Sequence, residues 1–179
     1  MAPDATPTPL IRKLGIRPGS RVTVSGAPAS FPATLGELPP GATLSTRAGR
    51  SRDVIVIFAT RLADLERRVP RLMPSLAVDG GLWLCYPKRA SGVATDLDFA
   101  IVQRIGLEAG LVDNKSAAVD DTWSGVRFVV RLADRPSWRP APPIRPQAGP
   151  SRSSRMAAMN AGDRGPMTSR TTVPSPSTK

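Results

Sequence analysis

The chain has 179 residues, 25 Lys and Arg against 14 Asp and Glu for a formal charge of +11, one cysteine and no histidine. Without histidine, Ser-His-Asp, Cys-His and zinc-hydrolase chemistry are out of reach, and one cysteine makes neither an intrachain disulfide nor a thiolate metal site. No apolar stretch approaches the ~20 residues that cross a bilayer, and the start, MAPDATPTP, lacks the basic and apolar regions of a signal peptide, so a cytoplasmic protein with no membrane partner is expected.

Residues 1–9 are rich in Pro, Thr and Ala and are expected to be flexible. Leu10, Ile11 and Leu14 then recur at helical spacing with Gly15 as the stop, which predicts a short helix. Arg17-Pro18-Gly19-Ser20 is a turn, and Arg21-Val22-Thr23-Val24-Ser25 alternates into a first strand. A short helix is predicted over 30–38, with Ser30 as cap and Phe31, Leu35 and Leu38 on one face, before Pro39-Pro40-Gly41 breaks it. Ala42 to Thr46 is a weak second strand.

Asp53-Val54-Ile55-Val56-Ile57-Phe58-Ala59 is apolar and mostly β-branched after its first residue, as a strand covered on both faces must be, so it belongs at the centre of a sheet. Leu62, Leu65, Val69 and Leu72 follow at steps of three and four across a charged helix, with Pro70 a kink or break. Gly81-Leu82-Trp83-Leu84-Cys85-Tyr86 is a second buried strand, stopped by Pro87, with Cys85 a small buried hydrophobe. Beyond it come Lys88, Arg89, Ser91 and Gly92, and a helix expected to open at Thr95 or Asp96 and to end at Gly106 or Gly110. Val112 to Val119 and Val126 to Arg131 are the last strands, joined by the turn Asp120 to Gly125.

Strands alternating with helices imply crossover units and a mostly parallel sheet, and the last pair implies an antiparallel edge strand. The expected fold class is therefore α/β, a small Rossmann-like three-layer sandwich over residues 10–133. Residues 134–179 hold 8 Lys and Arg against 2 Asp and Glu, a surplus of +6, while 1–133 hold 17 against 12, a surplus of +5. With their repeated prolines and few apolar side chains they are expected to be a disordered basic tail, able to touch nucleic acid weakly by charge alone.

In open α/β sheets ligands sit beyond the carboxyl ends of the strands, and a helix N-terminus there favours anions. On that ground Gly26, Lys88, Arg89, Ser91, Gly92 and Trp123 are the candidate binding residues. No catalytic or metal-ligating set is assigned. Asp120 and Asp121 are adjacent and read as turn-stabilising, and Trp123 also reads as cover for the end of the core.

The phrases LGIRPGSRVTVSGAP, DVIVIFAT, GGLWLCYPKRASGVATDL and GLVDNKSAAVDDTWSGVRFVVR resemble the small actinobacterial family labelled DUF3052 from about Thr8 to Arg131, PKRASGVATD and DDTWSG being the most specific. That resemblance implies a compact α/β body and no particular activity. More distantly, the order of Leu14 to Val24, Asp53 to Phe58 and Leu76 to Tyr86 is similar to the first, fourth and fifth strands of class I S-adenosylmethionine methyltransferases. Those enzymes cradle the cofactor on a glycine-rich loop after the first strand and hold its ribose with an acidic residue ending the second. Here the loop is Ser25-Gly26-Ala27-Pro28-Ala29, with one glycine, and the second strand ends near Thr46-Arg47 with no carboxylate, so no cofactor is expected. The leading reading is a non-catalytic module that binds a protein or an anionic small molecule at the strand carboxyl edge. A transferase-type enzyme using that edge, and a nucleic-acid-associated protein acting through its tail, are the alternatives.

Overall fold

The computed structural model describes residues 8–139. All of them belong to the first of two units of the chain, Met1–Ile144, so the account below is of that unit. The expected flexible start and the greater part of the expected tail, residues 1–7 and 140–179, lie outside the described residues.

Four α-helices, α1 (Leu10–Leu14), α2 (Phe31–Leu35), α3 (Leu62–Leu72) and α4 (Phe99–Glu108), pack on a six-stranded sheet. Its strands are β1 (Arg21–Ser25), β2 (Thr43–Ser45), β3 (Arg52–Phe58), β4 (Leu76–Pro87), β5 (Val112–Ala118) and β6 (Trp123–Val129), in the spatial order β2-β1-β3-β4-β6-β5. The first four are parallel, and β6 runs antiparallel to both its neighbours, β4 and β5. This is the expected α/β, Rossmann-like class, with the reversed strand one position in from the edge. Among the described residues no helix is long and apolar enough to cross a membrane.

Alternation along the central strands sends successive side chains to opposite faces, so β3 and β4 feed two cores at once. Ile55, Ile57, Leu82 and Leu84 pack under α3 and α4 with Leu65, Val69, Val102 and Ile105. Val54, Val56, Phe58, Trp83 and Cys85 pack under α1 and α2 with Leu10, Leu14, Phe31 and Leu35. Trp83 is fully buried and donates its indole N–H to Leu14 O at 3.0 Å, which ties α1 to the sheet across 69 positions of sequence. Cys85 is buried, as its place in the apolar run predicts.

Several local expectations give way to tertiary context. The strand expected over 81–86 starts at Leu76, because Gly80 and Gly81 stay within it. A Cβ on Gly80 would stand 2.9 Å from Arg52 O and Asp53 O, so the backbone passes its neighbour too closely for a side chain where the β3/β4 register shifts. Trp123, Ser124 and Gly125, read as turn, are the first residues of β6 and pair with Pro87, Tyr86 and Cys85. Gly125 faces the Trp83 ring, 3.1 Å from where its Cβ would be, so glycine there marks packing rather than a turn. Pro70 lies inside α3, which runs to Leu72 before one 3-10 turn. Helix α2 covers only Phe31–Leu35 and Ser30 makes no side-chain cap.

Helix α4 opens at Phe99 rather than at Thr95 or Asp96, because Asp98 supplies the cap by accepting from Ile101 N–H at 2.8 Å. Gly106 does not end it but is buried within it against Phe128. At the start of the expected tail, Leu132–Asp134 form a 3-10 turn and Trp138 packs against the core beneath α3 and α4.

Candidate anion-binding site

The four parallel strands end at one edge, where Ser25, Ser45, Phe58 and Pro87 hand over to loops. The loop after β4 and the turn between β5 and β6 carry the most specific phrases of the sequence, and they are fastened to each other. Lys88 N–H donates to Thr122 O at 2.8 Å and Lys88 Nζ donates to Asp120 O at 2.6 Å. Asp120 Oδ1 accepts from Thr122 and Trp123 N–H at 2.8 and 2.7 Å, the turn-stabilising role expected of it. The other end of the loop after β4 is tied to the turn between β3 and α3: Thr95 Oγ1 donates to Thr60 O at 2.8 Å, and Asp96 Oδ1 accepts from Leu62 N–H at 2.7 Å. Asp96 is therefore a cap, for α3 rather than for the helix that follows it in sequence.

The six candidate residues divide accordingly. Lys88 spends its ammonium on a backbone carbonyl, Ser91 Oγ donates to Lys88 O at 2.7 Å, and Gly92 at φ +70° ends the short turn they form. Arg89 is exposed. Lys88 and Arg89 line a cavity of about 510 Å³ with Tyr86, Leu97, Asp98 and Phe99. Trp123, half-buried, packs edge-on against Phe58 with ring centroids 5.1 Å apart. Gly26 stands apart from the other five, at the exit of β1, with β3 between it and the β4 loop.

What lies over Gly26 is a side chain of the protein itself. Gly26 has φ +70°, and a Cβ there would fall 2.1 Å from Arg68 Nη1 and 2.5 Å from Phe58 O. Arg68 Nη1 donates to Phe58 O at 2.7 Å, so the guanidinium is seated in the crevice between the ends of β1 and β3. Glycine is required by the left-handed backbone and by this approach together.

Beside that crevice the edge opens into a cavity of about 500 Å³ whose charged lining is Arg47, Arg67, Arg68 and Arg71, with Ser25 and Thr46 adding hydroxyls. Helix α3 supplies three of the four arginines because its buried stripe, Leu65, Val69 and Leu72, turns Asp64, Arg67, Arg68 and Arg71 into a polar stripe at steps of three, one and three. Arg47 comes from the turn after β2. Its backbone carbonyl accepts from Thr23 Oγ1 and Ser45 Oγ, each at 3.3 Å, and its N–H donates to Ser45 Oγ at 3.1 Å.

The charge is poorly balanced. Asp64 Oδ1 lies 2.6 Å from Arg67 Nη2 and 3.7 Å from Arg68 Nη2, one carboxylate shared by two guanidiniums. Arg47 and Arg71 form no ion pair among the described residues. Planar guanidiniums present paired donors that match carboxylate and phosphate oxygens, so a concave group of them is chemically a receptor for anions. In sequence these residues are ordinary charges on an amphipathic helix and a basic turn. The one available signal was the Asp64, Arg67, Arg68, Arg71 spacing, which places three cations on one face.

Among the described residues no group of three or more Asp, Glu or Cys side chains is placed to hold a metal ion. No family model and no curated protein matches the chain. Among solved structures it is similar to an S-adenosylmethionine-dependent methyltransferase from Aquifex aeolicus, at 14% identity over 68% of this chain and 88% of that one, with a TM-score of 0.49. It is also similar to magnesium protoporphyrin IX methyltransferase from Synechocystis PCC 6803, at 13% identity over 68% and 78%, TM-score 0.48. A ribosomal protein L11 methylase from Lactobacillus delbrueckii subsp. bulgaricus aligns at 14% identity over 68% and 75%, TM-score 0.47.

Proposed function

We propose that this domain, taken as a DUF3052-like protein, binds an anionic small molecule bearing phosphate or carboxylate groups in the arginine cleft at the carboxyl ends of β1 and β2. The observation that carries the reading is the group of four guanidiniums around one cavity of about 500 Å³, a volume within the usual range of small-molecule sites. Ser25 and Thr46 add neutral donors for the same oxygens. The charged groups of the cleft are all cations, which suits recognition of an anion.

The alternative, a transferase that uses S-adenosylmethionine, draws on the strand order, with β1, β3 and β4 adjacent and parallel. Against it stand the residues at the two cofactor positions. Arg68 occupies the space above Gly26 that the cofactor would need, and Arg47, a cation, follows β2 where an acidic residue would hold the ribose. The expected site at Lys88, Arg89 and Ser91 remains a subsidiary proposal for the same edge.

A thermal-shift panel of nucleotides, phosphorylated metabolites, di- and tricarboxylates and S-adenosylmethionine, each matched for ionic strength, separates these readings. A true ligand at a hundredfold excess over its Kd stabilises by about 2.7 kcal/mol, a rise on the order of 10 °C. The expected result is a rise with one anion class that Arg47→Gln with Arg71→Gln abolishes. No rise with any anion would overturn the binding reading, and a rise with S-adenosylmethionine alone would establish the alternative.

A further inference from the structure

We infer that the domain has a second anion site, for a phosphate-class ligand, at the opposite edge of the sheet, between α1, the turn after it and β5 and β6. A cavity of about 350 Å³ there is lined by Arg12, Lys13, Arg17, Lys115 and Arg127, with Asp53 and Asp79 the carboxylates on its wall. Strand pairing explains why the cations converge. Arg127 is opposite Trp83 on β4 and Lys115 on β5, so all three side chains leave the sheet on the α1 side. Gly81, two residues before Trp83 on that face, leaves room for the guanidinium: a Cβ there would be 2.6 Å from Arg127 Nε.

Arg127 is the centre of the site. It is half-buried, and its Nε is shielded from solvent with no hydrogen-bond partner. Burial, and then the nearby charges of Arg17 and Arg135, pull its pKa below the ordinary arginine range. None of the five cations makes an ion pair within 4.0 Å among the described residues. Of the carboxylates, Asp53 is engaged by Arg21, whose N–H donates to Oδ2 at 2.7 Å and whose Nε lies 3.7 Å away. A partly buried guanidinium among like charges, with no carboxylate in ion-pair reach among the described residues, is compensated by an anion from solution. The concave shape and small volume suit a phosphoryl or pyrophosphoryl group rather than an extended polymer.

The site rests on residues distinct from the arginine cleft, so the two can fail separately. The probe is inorganic pyrophosphate titrated into the full-length chain at low salt, followed by amide and arginine Nε–Hε NMR shifts. Saturable shifts are expected at Arg127 Nε–Hε, Gly15, Gly19 and Gly81. Arg17→Gln with Lys115→Gln removes two exposed cations and so spares the core; it should weaken those shifts ~10-fold or more. Arg47→Gln with Arg71→Gln should leave them unchanged. Shifts confined to the β1 and β2 carboxyl ends, no saturable shift at Arg127, or undiminished affinity in Arg17→Gln with Lys115→Gln would each overturn the proposal.

Discussion

Replacing Arg68 by methionine keeps most of the aliphatic stem and deletes the guanidinium, so it isolates what that group does. In the native domain Nη1 donates to Phe58 O at 2.7 Å and Nη2 lies 3.7 Å from Asp64 Oδ1, with the side chain 24% exposed. A hydrogen bond from a charged donor contributes roughly 1.5–3 kcal/mol, toward the lower end when water can reach it. The ion pair is long and shared with Arg67, and adds at most a few tenths of a kcal/mol. Against these stands relief from the neighbouring Arg67 and Arg71 charges, worth about 1 kcal/mol or less at a solvated surface. The balance is a loss of about 1–2 kcal/mol, to be measured as a lower urea midpoint at unchanged slope. The same substitution should weaken binding of any anion found in the cleft ~10-fold. S-adenosylmethionine should still bind no better, since Arg47 remains at the β2 exit. A midpoint equal to the native one, together with undiminished anion affinity, would refute both roles given to Arg68.

Three further outcomes follow from the packing. Gly106→Ala should gain about 1 kcal/mol of helix propensity but place a Cβ 2.1 Å from the Phe128 ring edge. Overpacking costs roughly 1–3 kcal/mol, so a net loss is expected in urea unfolding, recovered in part by adding Phe128→Leu. Trp83→Phe should cost about 1–3 kcal/mol by leaving Leu14 O without its buried donor, and amide exchange should show α1 opening before the sheet. Burial, and secondarily Asp120, hold the Cys85 thiol far above the ordinary range, so the folded state keeps a proton that the unfolded chain releases above pH ~8.5. Stability should therefore be unaffected below that pH and fall above it by up to about 1.4 kcal/mol per pH unit. Tyr86, raised by burial and then by Asp98, adds to the fall at higher pH, so Cys85→Ala should reduce the slope without abolishing it.

The central sheet was legible because β3 and β4 are apolar on both faces, a pattern that only a covered strand satisfies. Element ends were not, and in each case the reason is a partner distant in sequence. Trp123-Ser124-Gly125 has turn composition, yet it is strand because β4 offers it a ladder, and the glycine lies where a Cβ would press on Trp83 at 3.1 Å. Thr95 and Asp96 have capping chemistry, and Asp96 does cap, but across 34 positions onto Leu62. Local propensity named the right chemistry and could not name the recipient.

The same limit applies to the proposed arginine cleft. Arg67, Arg68 and Arg71 are indistinguishable in sequence from any solvated helix face, and Arg47 from any basic turn. They come to line one cavity because the turn after β2, the strand next to β1, and one face of α3 meet at the same sheet edge. Gly26, a candidate binding residue by its place after β1, is approached by a side chain of the chain itself. That side chain is Arg68. The space over the loop after β1 is filled by a cation that also lines the neighbouring cleft. On the proposed reading that edge takes an anion, a ligand of charge opposite to its own wall.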